Sequence, residues 1–136
     1  MAAHYVRFAK VRVSGRWNVV LRRARKAGVR FRVNSGHRTM REQMRLFRQN
    51  MQFVGGRWVP RPGKPLTAFP NPFAPHIRSG RAAHALDVDM FYGDGVQGLV
   101  AWLRKHGAHP KFTVPGEGWH IELSARDLRM LWRKFR

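Results

Sequence analysis

The chain contains no cysteine. That absence excludes disulfides, thiolate zinc sites and a thiol nucleophile, and any metal must be held by histidine and carboxylates. Carboxylates are themselves scarce, with seven Asp and Glu against 27 Lys and Arg in 136 residues. No apolar run approaches the roughly 18 residues of a membrane span, and the N-terminal residues form no apolar signal core. The expectation is a soluble cytoplasmic protein, unless another factor exports it.

What is present argues for a packed globule. Hydrophobic content is 43% with five Trp, more than a disordered basic tail carries. The length suits one domain over 1–136 and is too short for two. The net charge of +20 is spread along the whole chain. It predicts attraction to polyanions such as nucleic acid, anionic lipid or the phosphate-rich polymers of bacterial walls. No dedicated nucleic-acid motif accompanies it.

Apolar periodicity then organises the chain. Trp17, Val20, Leu21 and Ala24 recur at helical spacing from Gly15, and Gly28 fits the stop of that helix. Val29, Phe31 and Val33 alternate with Arg30 and Arg32 as a half-buried strand. Thr39 is an N-cap for a second helix to about Asn50 that buries Met40, Met44 and Phe47. Gly55-Gly56 and a Pro-rich run from Pro60 to Pro75 read as a long irregular segment. Ala83–Val88 reads as a strand, and Asp94-Gly95 opens a third helix carrying Val96, Leu99, Val100 and Leu103. Lys111–Val114 and Trp119–Leu123 read as a hairpin across Pro115-Gly116. Ser124 and Asp127 start a last helix that buries Leu128, Leu131, Trp132 and Phe135. The expected class is α+β, with helices on a small, mostly antiparallel sheet.

Four of the seven acidic residues fall in two short segments, Asp87 with Asp89 and Glu117 with Glu122. In the strand after Gly118, alternation puts Trp119, Ile121 and Leu123 toward the core and His120 with Glu122 on the other face. Ala83, Ala85, Asp87 and Asp89 share a face of the earlier strand, where alanines leave room for a hydrated ion. Two histidines and an aspartate would supply three ligands and leave a fourth tetrahedral position for water. Glu117, three residues before His120, is placed to take a proton from that water. The competing readings are plainer: Glu117 as a turn carboxylate, His120 as a core histidine, and Asp87 in an ion pair with one of the many arginines.

Three motifs in order resemble the D-alanyl-D-alanine carboxypeptidase (VanY-like, LAS-type) zinc peptidases, a group that includes phage endolysins cleaving L-alanyl-D-glutamate bonds. Ser35-Gly36-His37-Arg38-Thr39 with Gln43 and Leu46 resembles the Ser-Gly-Tyr-Arg-Ser segment of that family. His76 to Asp87 resembles its His-x-x-Gly-x-Ala-x-Asp segment, and Glu117-Gly118-Trp119-His120 its Glu-x-Trp-His segment. Together they cover about residues 15–125. The resemblance implies a LAS/Hedgehog-like fold and a Zn2+ held by a histidine, Asp87 and His120, with Glu117 as catalytic base. It also implies that Arg38 stabilises developing negative charge or a substrate carboxylate, and that Gln43 orients Arg38 or the substrate. The first ligand is a choice between His76, which needs an insertion relative to the family spacing, and His84. On a regular strand His84 points away from Asp87, which favours His76; a bulge at Ala83–His84 would reverse that. Asp89 and Glu122 are candidates to support the ligands from behind.

The function implied is cleavage of peptidoglycan stem peptides by metal-activated water, in an endolysin released to the wall by a holin. Its partners would be bacterial peptidoglycan and, by charge, anionic wall polymers or outer-membrane lipopolysaccharide, with the chain a monomer. The alternatives are a D-Ala-D-Ala carboxypeptidase of wall maturation, or a basic nucleic-acid-binding protein whose metal site is structural or vestigial.

Overall fold

The first helix begins at Ser14, whose hydroxyl accepts a hydrogen bond from the Trp17 amide at 3.2 Å, an N-cap that occupies one of the free donors of the first turn. In this structure, a computed structural model that describes residues 5–36, 40–69, 84–113 and 115–136, the protein is α+β. Among those residues the chain runs β1 (Tyr5–Phe8), β2 (Val11–Ser14), α1 (Gly15–Lys26), β3 (Val33–Ser35), α2 (Met40–Asn50), β4 (Met51–Val54) and β5 (Arg57–Pro60). It continues through β6 (Ala85–Val88), α3 (Gly95–Lys105), β7 (His120–Glu122) and α4 (Ala125–Phe135). Every strand pairing is antiparallel: β1 with β2, β4 with β5, and a three-stranded sheet in the order β3-β6-β7.

The helical periodicity in the sequence marks the buried faces of α1 and α3 correctly, whereas in α2 Phe47 is buried and Met44 only half-buried. Trp17, Val20, Leu21 and Ala24 of α1 are all fully buried, and α1 packs against α4, which contributes Leu128 and Leu131. Val96, Leu99, Val100 and Leu103 of α3 join the same core, as do Leu86 and Val88 of β6 and Ile121 of β7. Ser124 caps α4 by accepting from the Asp127 amide at 3.0 Å. The Asp127 carboxylate does not reach back to complete a capping box; it accepts from the His109 amide at 2.9 Å and ties the loop after α3 to α4. Trp132 and Phe135, expected inside, are only half-buried. Arg16 and Arg136 lie over the Trp132 ring at 4.9 and 4.5 Å, and the Phe135 ring stacks on Trp102. These arginines cover aromatic surface by cation–π contact.

Several sequence expectations change. The segment before α1 is a hairpin, turning at Ala9-Lys10 with Ala9 at φ 55°. The strand at 29–33 is shorter than expected, since only Val33–Ser35 pairs with β6, with an irregularity in its register, although Phe31 is fully buried. Residues 51–60 are a second hairpin rather than irregular chain, with Gly55 and Gly56 at φ 61° and 79° in its turn. Of the expected hairpin at 111–123, the described residues show one bridge, between Lys111 and Glu122. No helix among the described residues is long and apolar enough to cross a membrane.

Candidate metal centre

The register of β6 with β7 brings the site together. Asp87 lies opposite His120, Ala85 opposite Glu122, and Leu86 opposite Ile121. Because side chains alternate along each strand, Leu86 and Ile121 point into the core, where both are fully buried. Asp87, His120, Ala85 and Glu122 are left together on the other face. The small Ala85 faces Glu122 across the ladder, and Ala83 lies outside the described residues.

Glu117 arrives by a turn and not by the strand. The His120 amide donates to the Glu117 carbonyl at 3.1 Å, folding the chain back so that the Glu117 carboxylate returns over the start of β7. Residues 118–119 belong to this turn, and strand alternation begins only at His120. Trp119 therefore does not face the core as expected; it is 38% exposed, while its carbonyl accepts from the Val88 amide at 2.8 Å. One oxygen each from Asp87 and Glu117 and one ring nitrogen of His120 lie within 4.8 Å of one another.

His120 is 4% exposed and is held at both ring nitrogens. Its Nδ1 is 3.0 Å from Asp87 Oδ1, and its Nε2 is 3.0 Å from Glu122 Oε2. Burial by itself lowers the His120 pKa, but the hydrogen bonds and charges of Asp87 and Glu122 outweigh it and raise the value above the ordinary 6.5. Burial pushes Glu122 the other way, upward, and is overcome by the Thr113 hydroxyl and the His120 ring, which hold the carboxyl below its usual 4.5.

The donor set fits a divalent cation. When Nε2–H donates to Glu122, Nδ1 presents a lone pair toward Asp87 Oδ1, and two acceptors at 3.0 Å require a proton or a cation between them. Tetrahedral zinc with ligand bonds of ~2.0–2.1 Å sets its ligand atoms about 3.3 Å apart, close to this spacing. A ligating histidine whose other N–H is held by a carboxylate is the usual support of such sites, and Glu122 supplies that carboxylate. Glu122 is itself fixed, through its side chain by Thr113 and through its backbone by Lys111.

The other predicted residues are placed as follows. His84, just before β6, is not in the Asp87–Glu117–His120 group; its Nδ1 lies 3.9 Å from Glu122 Oε1. Asp89 has left the shared face. Its Oδ1 accepts from the Phe91 and Tyr92 amides, both at 2.8 Å, and these bonds, with the charge of Arg32, lower its pKa. It anchors the turn into α3 and does not support the site. Gln43 is buried on α2, and its Nε2 donates to the Ala68 carbonyl at 2.9 Å, tying α2 to the segment after β5. Ser35 pairs with Asp87 across β3 and β6. The next residue must be glycine, since a Cβ on Gly36 would run into the Arg12 carbonyl oxygen and Val13. His76, Arg38, His37 and Thr39 lie outside the described residues.

Sequence reasoning missed Thr113, whose hydroxyl bonds to Glu122; the one signal available was its place in the strand expected at Lys111–Val114, opposite Trp119–Leu123. Comparison with family models, with curated proteins and with solved structures gives no match to this chain.

Proposed function

We propose that this protein is a zinc-dependent peptidase with a LAS-type fold that hydrolyses peptidoglycan stem peptides, as a wall-lysing endolysin. The observation that carries the reading is the meeting of Asp87, Glu117 and His120 from two paired strands and a turn, with His120 oriented from behind by Glu122. The ordered resemblance of three motifs to the LAS-type peptidases supports it.

Asp87 and His120 would hold the ion, with His76 as the third ligand and His84, whose Nδ1 lies 3.9 Å from Glu122 Oε1, as the alternative. When bound, zinc supplies the Lewis acidity that makes water nucleophilic near neutral pH. Glu117, carried on a turn rather than in the ladder, accepts the water proton on a carboxylate oxygen and delivers it to the leaving amine nitrogen. Arg38, three residues beyond the Ser35 that flanks Asp87, would steady negative charge on the substrate with its guanidinium fork. Glu122 fixes the His120 ring so that Nδ1 faces Asp87.

The test is elemental analysis combined with muropeptide digestion. The expected result is ~one zinc per chain and cleavage that a chelator abolishes and zinc restores. Glu117→Ala should keep the zinc and lose about 10²–10⁴-fold in rate. A Glu117→Ala protein that cleaves at the wild-type rate overturns the mechanism, and a protein that binds no zinc overturns the reading itself. Mass analysis of the products separates release of terminal D-Ala from cleavage after L-Ala.

A further inference from the structure

The β4–β5 hairpin is a two-stranded sheet that pairs with no other described strand, and its apolar residues stand apart from the main core. Two strands alone are marginal in water and need a surface to pack on. Here the surface is small: Met51 is buried, and the Trp58 ring meets Phe47 of α2 edge-on at 4.8 Å. Toward the turn, the hairpin is more open among the described residues. Phe53 is 60% exposed, Val54 53% and Trp58 50%, and Leu66 in the following segment is 80% exposed. Val54 pairs with Arg57 beside the Gly55-Gly56 turn and Phe53 with Trp58 one position further in, so the exposed apolar residues lie near the tip.

The charge of this segment has one sign. Residues 40–69 carry Arg41, Arg45, Arg48, Arg57, Arg61 and Lys64, all exposed. Glu42 is their only acidic companion, and it is engaged with Arg12 at 3.0 Å. An apolar tip of Phe, Val and Trp, with exposed Arg57 on the same hairpin and Arg41, Arg45 and Arg48 on the adjoining helix, matches the boundary between headgroups and acyl chains. Aromatic and aliphatic groups enter that boundary, and nearby basic residues are attracted to anionic lipid. Nucleic acid fits less well. Base stacking uses open, flat ring faces, whereas Phe53 and Trp58 tilt 57° against each other, and Val54 and Leu66 offer no ring.

We infer that the tip of the β4–β5 hairpin is a docking site for an anionic lipid bilayer surface. The inference is independent of the peptidase reading. Tip side chains enter the interface and the arginines hold lipid phosphates, which brings a protein of net charge +20 onto the membrane in one orientation instead of as a diffuse cation.

Flotation of the full chain with vesicles tests this, using phosphatidylcholine alone and phosphatidylcholine with phosphatidylglycerol. Wild type should bind the anionic vesicles and not the neutral ones. A Phe53→Ser/Val54→Ser variant, with unchanged charge, should bind at least ~tenfold more weakly, and its circular dichroism should report whether it is folded. Val54→Trp, at an exposed position, should bind several-fold more tightly and keeps the test valid if the double variant does not fold. Equal binding by wild type and a folded double variant, or no gain with Val54→Trp, would mean that charge alone drives association and would overturn the site. Binding to single-stranded DNA that the same substitutions weaken, with none to anionic vesicles, would overturn it in favour of nucleic acid.

Discussion

Replacing Glu122 by Ala should weaken zinc binding without removing a ligand. Glu122 Oε2 lies 3.0 Å from His120 Nε2, and the two side chains are only 14% and 5% exposed, so solvent screens the bond weakly. A hydrogen bond to a charged group contributes about 1.5–3 kcal/mol. Loss of an orienting carboxylate behind a ligating histidine typically costs ~10–100-fold in metal affinity, which converts to about 1.4–2.8 kcal/mol. The two routes agree, and we expect the zinc Kd of Glu122→Ala to rise by about 10–100-fold. Competition against a chromophoric chelator at fixed pH reads the change directly. Glu122→Gln keeps an acceptor for Nε2–H and should fall between Ala and wild type. Thr113→Val frees the carboxylate without deleting it and should have a smaller effect of the same sign. A Glu122→Ala protein that holds zinc within twofold of wild type would refute the assignment of Nε2 to Glu122 and of Nδ1 to the metal.

The remaining predictions concern the ladder, the caps and pH. In chelator, His120 has a raised pKa in the folded state. Its contribution to stability is therefore complete below 6.5 and lost as pH rises through the raised value. Thermal melts of the metal-free protein should show Tm falling over that window, and the fall should be absent in His120→Gln. With zinc bound the sign reverses, because protons compete with the ion for Nδ1, so Tm should fall as pH is lowered. Leu86→Ala removes a fully buried side chain from the middle strand of the site sheet and should cost about 2–5 kcal/mol in denaturant unfolding. Ser14→Ala deletes the cap on α1 and should cost about 1 kcal/mol. Asp87→Ala should abolish stoichiometric zinc in elemental analysis.

The sequence was most legible where one local rule acts alone. The helical stripes of α1 and α3 name their buried residues because a stripe at 3.6-residue spacing has only one face to bury, and in α4 Leu128 and Leu131 are fully buried. Asp87 and His120 were readable because two-residue alternation ties each to apolar neighbours of known direction, Leu86 and Ile121. The misses occur where local signals are weak or conflict. Ala9 in the β1–β2 turn adopts a positive φ that Gly or Asn usually supplies, so no turn residue announced that hairpin. Gly55-Gly56 did announce one, between runs of β-prone residues, but the prolines after it drew residues 51–60 into an irregular segment. Extending alternation one residue too far, to Trp119, ignored the turn that Gly116 and Gly118 make possible. The same extension at the other strand put Asp89 in the site, although the chain there is already turning toward α3.

The chain on its own established the donor inventory. With no cysteine and seven carboxylates, any metal here must rest on histidine and on a few countable acids, whatever the fold. It also established which strand faces are apolar, since that follows from residue order. Only the tertiary structure decided the pairing register that sets Asp87 against His120 and Ala85 against Glu122; a slip of one residue would have exchanged the core face for the site face. It also decided that Glu122 and Thr113 stand behind His120 while Asp89 does not, and that His84 faces Glu122. Those relations join residues distant in sequence. Their geometry comes from strands packing on a shared core, and no local spacing encodes it.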